Sequence, residues 1–293
     1  MTQRMPPSLL PTDLQPVSRR ILVVEDSPLN QMLVTAILAQ AGHRADTANN
    51  GLEAVMAAQA GGYDLILMDL SMPEMDGLTA TRLLRDLPGP AGRVPVVAMT
   101  ADTEEADRVR CQDAGMNDHI AKPVDRALLL ETVEKWLRAS LCSGASADAS
   151  TGFGPCAAAT PEPAGELLDY EVLAQLAQDL EADLLADVLR QFVEETRERV
   201  ARIMAETDRA VLTREAHTLK STAGTFGARA LCAAARALEM ACRASSAEPD
   251  SAEPQSAELG GKGAADAVDR LRSDIARMAG DAIAAYRAAG YAV

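Results

Sequence analysis

Between residues 20 and 139 the chain alternates five times between a short apolar run and a longer stretch with helical spacing. No other feature constrains the fold as much. Ile21–Val24, Leu65–Met68 and Val94–Met99 are continuous apolar runs, and His43–Ala48 and Asn117–Ile120 are weaker ones. Between and after them, Pro28–Ala41, Leu52–Ala60, Leu78–Asp86, Glu104–Ala114 and Arg126–Arg138 repeat apolar residues at i, i+3, i+4. Strands this apolar need cover on both faces. The pattern therefore predicts an α/β domain, a doubly wound five-stranded parallel sheet with helices on each side. Such sheets place their ligand sites at the carboxyl ends of the strands.

The alternation stops at 139. Residues 1–19 read as a flexible Pro-rich tail, and 140–166 as a 27-residue Ala/Ser/Gly/Pro linker, spanning ~25–30 Å as a random coil. Within that linker, Gly152-Phe153-Gly154-Pro155-Cys156-Ala157 formally matches a dinucleotide fingerprint. No strand precedes it and Pro155 interrupts it, so it is discounted. Residues 167–290 carry only helical periodicity, over Leu168–Leu180, Ala182–Ala205, Arg209–Phe226, Ala230–Arg243 and Ala265–Ala288. This predicts a second, all-α domain, an antiparallel helical bundle with a flexible insertion at 244–263.

Charge and composition then narrow the function. The 293 residues carry 28 Lys plus Arg against 43 Asp plus Glu, a net charge of −15, which argues against nucleic-acid or anionic-lipid binding. No run approaches the ~20 apolar residues of a membrane span, and no secretory signal opens the chain. The cysteines at 111, 142, 156, 232 and 242 form no CxxC, consistent with reduced thiols in a cytoplasm.

The chemistry gathers at strand ends. The first strand runs into Glu25-Asp26, the third ends in Asp69, the fourth reaches Thr100, and the fifth is followed by Lys122-Pro123. Parallel neighbouring strands bring these carboxylates to one sheet edge. There they repel one another and call for a hard cation, Mg²⁺ or Mn²⁺. A carboxylate nucleophile, a divalent cation, a hydroxyl and an ammonium together make a phosphoryl-transfer site.

The strings ILVVEDSPLN, LILMDLSMPEMDG, VPVVAMTA and MNDHIAKPVD resemble the response-regulator receiver family over about residues 20–139. The resemblance implies a flavodoxin-like fold, Asp69 as phospho-acceptor, and Mg²⁺ held by Glu25, Asp26, Asp69 and the Ser71 backbone carbonyl. It also implies that Thr100 and Lys122 contact the phosphoryl oxygens. Three residues before the lysine, where the family usually has an aromatic switch residue, stands His119. It is either a tolerated surface histidine or an inward-swinging partner of Thr100 whose charge depends on pH.

In the second domain, His217, Lys220, Ser221 and Gly224 share one helix face. Ala216, Leu219, Ala223 and Phe226 would point into the bundle, so His217 is expected to face solvent as an exposed nucleophile. AHTLKSTAGTFGA resembles the signature of histidine-containing phosphotransfer domains. The resemblance implies a phosphorylated His217, support from Lys220, and a docking face at Ser221 and Gly224. Residues 201–243 hold seven basic and four acidic groups, a basic island suited to steering toward an acidic receiver pocket.

The expected function is a phosphorelay intermediate, as in bacterial hybrid histidine-kinase systems. It accepts phosphoryl groups on Asp69 and relays them through His217. The partners implied are a sensor or hybrid histidine kinase as donor and a downstream response regulator receiver. No GxxxxGK[ST] or Gly-rich ATP lid is present, so the chain is not expected to bind ATP. The haloacid-dehalogenase type of aspartyl phosphatase needs a second Asp where Ser71 stands. The remaining alternative is a docking or adaptor module for a sensor kinase, independent of phosphorylation.

Overall fold

The computed structural model describes residues 18–100, 105–142, 167–180, 182–244 and 254–293. The first domain runs β1 (Arg20–Val24), α1 (Pro28–Gln40), β2 (Arg44–Ala48), α2 (Gly51–Ala60), β3 (Leu65–Asp69), α3 (Gly77–Arg85), β4 (Val96–Thr100), α4 (Glu105–Asp113), β5 (Asp118–Ala121) and α5 (Arg126–Cys142). All neighbouring strands pair in parallel, in the order β2-β1-β3-β4-β5. The doubly wound sheet expected from the alternation is therefore present. The largest shift is at β4, which starts at Val96 beyond Pro95, a residue with no N–H for the ladder.

Period-two alternation sorts each strand's side chains between two cores. Ile21 and Val23 join a cluster with Leu29, Leu33 and Leu129, whereas Leu22 and Val24 join one with Ala54, Leu78 and Leu84. The strand order reverses between β1 and β3, so the crevice lies beyond Val24 and Asp69. Ser27 caps α1 by accepting from the Asn30 N–H, with Pro28 preset at the first turn. Gly77 opens α3 where a Cβ would sit 2.1 Å from the Asp69 carbonyl oxygen, so only glycine lets α3 start this close to β3.

The second domain comprises α6 (Tyr170–Asp179), α7 (Ala182–Ala205), α8 (Arg209–Thr225), α9 (Arg229–Ala244) and α10 (Pro254–Ala288). Leu212, Ala216, Leu219 and Ala223 of α8 are buried at helical spacing beneath Leu231, Ala235 and Leu238 of α9. Phe192 stacks against Phe226 at 5.1 Å and meets Tyr286 edge-on, and the Tyr286 hydroxyl donates to the Phe226 carbonyl.

The insertion expected over 244–263 is shorter than the sequence implied. Helix α9 includes Ala244 and α10 already starts at Pro254, because proline is tolerated in a first turn and Gln-Ser-Ala-Glu-Leu can follow it as helix. The remaining positions, 245–253, lie outside the described residues, as do 1–17 of the expected tail and 143–166 of the expected linker.

Candidate functional site

Strand ends set the first half of the site. Glu25 follows β1 and is 1% exposed; Asn30 donates to its Oε1 (2.9 Å). Half-buried Asp26 is next to it, and Asp69 ends β3, accepting from the Ser71 N–H at 3.3 Å. Ligand oxygens of Glu25, Asp26 and Asp69 all lie within 4.8 Å of one another. Lys122 reaches in from beyond β5, its Nζ 2.6 Å from Glu25 Oε2 and 2.8 Å from Asp69 Oδ2. Thr100, at the end of β4, is buried and faces the same cavity as Asp69.

Three carboxylates against one ammonium leave an excess negative charge of two when all are ionised. Burial, then Asp69, pushes the Asp26 carboxyl up to about 6, with Lys122 and Arg199 pulling the other way. Burial likewise raises Glu25 against the opposing pull of Lys122. For Lys122, burial would lower the ammonium's pKa, but Asp69 and Glu25 outweigh it and raise it. An oxygen-only, over-negative cluster in which Glu25 and Asp26 resist ionisation fits a hard divalent cation.

The second half sits on α8 and α9. His217 Nδ1 lies 2.7 Å from Glu239 Oε1, and Lys220 Nζ lies 2.8 Å from Glu239 Oε2. Arg243, one turn beyond Glu239, also pairs with it at 2.6 Å. Burial would raise the Glu239 carboxyl, but the His217 hydrogen bond and charge, followed by Lys220, hold it down at about 2. With Nδ1 engaged by a carboxylate, Nε2 is the ring nitrogen that Glu239 does not hold.

The halves meet. Asp69, Ser71, Thr100, Arg110, His217 and Arg243 line one cavity of about 250 Å³. A second cavity of about 200 Å³ adjoins Asp26, Ser71, Arg199, His217 and Arg243. Thr218 Oγ1 donates to Asp26 Oδ2 at 3.3 Å, and Asn30 Nδ2 to Ser221 Oγ at 3.4 Å.

Comparison with known proteins matches the response regulator receiver domain over residues 21–134 and the Hpt domain over 187–280. The chain carries a receiver domain followed by an Hpt domain. That pairing supports a role in two-component phosphorelay signalling. The histidine-protein kinase BarA of Escherichia coli K12 is 28% identical over 277 residues, 93% of this chain and 29% of that one. Sensor histidine kinase GacS of Pseudomonas protegens is 30% identical over 227 residues, 75% of this chain and 24% of that protein. The chain thus spans under a third of these curated relatives. The receiver domain of sensor kinase PA1611 from Pseudomonas aeruginosa, solved with magnesium in its active-site cleft, is 41% identical. It covers 41% of this chain and 98% of its own, with a TM-score of 0.39.

The receiver brings together Glu25, Asp26, Asp69, Ser71, Thr100 and Lys122 in the crevice, and the Hpt domain presents His217 opposite them, while Lys220 lines neither cavity and pairs with Glu239 inside the bundle. One expectation fails: His217 does not face solvent but is 7% exposed, covered by the receiver and by Glu239. The apolar positions of α8 do point inward as expected; what periodicity missed is that the opposite face is covered too. His119 is not a surface histidine either, its side chain being 8% exposed with Nδ1 3.9 Å from Asp118 Oδ1. Gly224 lies against the receiver, where a Cβ would stand 4.0 Å from Pro123 Cδ.

Sequence reasoning missed Glu239. The signal was available: Glu239 stands among Leu231, Ala235, Leu238 and Cys242 on the apolar face of α9, where a carboxylate needs cationic partners. No described helix is long and apolar enough to cross a membrane.

Proposed function

We propose that Asp69 accepts a phosphoryl group with Mg²⁺ held by Glu25, Asp26, Asp69 and Ser71, and exchanges it with His217. The observation that carries this reading is that Asp69 and His217 line the same cavity, with Thr100 and Arg243 beside them. A divalent cation bound at the three carboxylates supplies charge neutralisation for the phosphoryl oxygens. Lys122 pairs with Asp69 and steadies the carboxylate both as nucleophile and as leaving group.

In transfer to histidine, the His217 Nε2 lone pair forms the new N–P bond as the P–O bond to Asp69 breaks, and the bonding pair returns to the carboxylate. The Nδ1 proton remains on the ring, facing Glu239, so no proton changes hands. Glu239 then opposes the positive charge of the phosphorylated imidazole. The reverse step uses the same groups, and flow in either direction is chemically open. A hybrid histidine kinase is the proposed donor and a downstream receiver the proposed acceptor. We assign Thr100 and His119 to the conformational response; His119→Tyr should abolish any change in output affinity between about pH 6 and 8.

Incubation with labelled acetyl phosphate and Mg²⁺ tests the reading. It expects acid-stable, base-labile label on Asp69 and acid-labile, base-stable label on His217. Asp69→Ala should abolish both and His217→Gln only the second. Label on neither residue overturns the relay and leaves the docking module.

A further inference from the structure

Helix α1 is apolar on nearly every side, with Leu29, Met32, Leu33, Val34, Ile37 and Leu38 all at least partly buried. A sheet can cover only one side of a helix. Here α7 and α8 cover the other. Asn30 touches Ser221 at one end of α1, and at the other Gln40 Nε2 donates to the Asp179 carbonyl at 2.7 Å. These contacts are ten residues, ~15 Å, apart along the helix. Leu33 and Ile37 lie on the stripe between them and are 2% and 1% exposed.

The far contact is a polar junction of receiver and bundle groups. Arg126 Nη1, from the start of α5, lies 2.9 Å from Gln40 Oε1 and 3.3 Å from Asp179 Oδ1. Asp179 ends α6, is 6% exposed, and also accepts from Gln175 at 3.0 Å within the bundle. None of Gln40, Arg126 and Asp179 lines either cavity. They take no part in the chemistry, yet they bury a carboxylate of one domain against a guanidinium of the other.

We propose that Gln40, Arg126 and Asp179 form a latch that holds this chain's Hpt domain on its own receiver. Transfer between Asp69 and His217 is then intramolecular, and a partner reaches either residue only after the latch opens. Burial of His217, 7% exposed and lining a cavity with receiver residues, accords with the closed state. The kinetic half of this proposal rests on the Asp69–His217 reading above; the structural half does not.

Small-angle X-ray scattering on the full chain without phosphate tests the structural half. Wild type should be compact. Asp179→Arg and Arg126→Asp should each enlarge the radius of gyration, and the double swap should restore it. Circular dichroism checks that helix content is kept. Should Asp179→Arg unfold the bundle, Asp179→Asn still accepts from Gln175 and must by itself reduce the compact fraction. In the kinetic half, transfer from phosphorylated Asp69 should not depend on wild-type concentration, and each single swap should slow it about tenfold at high dilution. A mixture of Asp69→Asn and His217→Gln chains should transfer only in proportion to concentration. A radius unmoved by both single swaps and by Asp179→Asn, or no recovery in the double swap, overturns the latch. So does a wild-type rate that rises with concentration. Absence of label on Asp69 and His217 fails the relay reading alone and leaves the scattering result standing.

Discussion

Replacing Glu239 tests the platform beneath His217. This carboxylate is 2% exposed and meets three cations or potential cations: His217 at 2.7 Å, Lys220 at 2.8 Å and Arg243 at 2.6 Å. Burial opposes ionisation, yet His217 and Lys220 bring the carboxyl from 4.5 down to about 2. At 1.36 kcal/mol per pH unit, that depression corresponds to about 3 kcal/mol of folding stability at neutral pH. Because the folded pKa lies below the unfolded one, the contribution is complete above about pH 4.5 and is lost as pH falls through about 2. Urea unfolding of wild type and Glu239→Gln should differ by about 3 kcal/mol at pH 7, and the gap should close as pH is lowered. Gln can still accept from Nδ1 but has no charge to oppose phosphorylated imidazole, so phosphoryl transfer to His217 should slow by about tenfold. Glu239→Leu loses the hydrogen bond as well and should cost about a hundredfold. Equal stability gaps at pH 3 and pH 7, or an unaltered transfer rate in Glu239→Leu, would refute the reasoning.

In metal-free protein Asp26→Asn should raise stability by about 3 kcal/mol at pH 7, since ionising a carboxyl whose pKa is raised to about 6 opposes folding. Thermal melts at pH 4 and pH 7 should show that gain only at the higher pH. Lys122→Met should strengthen Mg²⁺ binding while abolishing phosphorylation of Asp69, because Glu25 and Asp69 lose their ammonium. Calorimetric titration and acetyl phosphate labelling report the two effects. Gly224→Ala should be neutral, its Cβ meeting Cys232 Sγ at 3.6 Å, an ordinary contact. Gly224→Leu should instead prise the domains apart at Pro123, enlarging the scattering radius.

The sheet was legible because the runs at Ile21–Val24, Leu65–Met68 and Val94–Met99 have one low-energy arrangement, parallel and covered on both faces. Parallel strands end together, so the sequence also foretold the meeting of Glu25, Asp26 and Asp69. Burial around His217 was not legible in the same way. Helical spacing reports which side of α8 meets its own bundle, and Ala216, Leu219, Ala223 and Phe226 answered that question correctly. It says nothing about a second surface, and Thr218, Ser221 and Gly224 are small or polar residues that read equally as solvated.

The clue to that second surface lay in the other domain. A helix of a doubly wound sheet normally keeps a polar outer face, whereas α1 carries Met32, Leu33, Ala36 and Ile37 around to the side away from β1. Such a helix is incomplete without a partner, and leaving it bare would expose an apolar patch at the mouth of the Asp69 crevice. The bundle completes it and, in the same placement, brings His217 to the cavity that Asp69 lines. One helix therefore couples two requirements, cover for the receiver's apolar surface and placement of His217 at the cavity that Asp69 lines. Loss of either domain should unsettle the other's solubility as well as its chemistry.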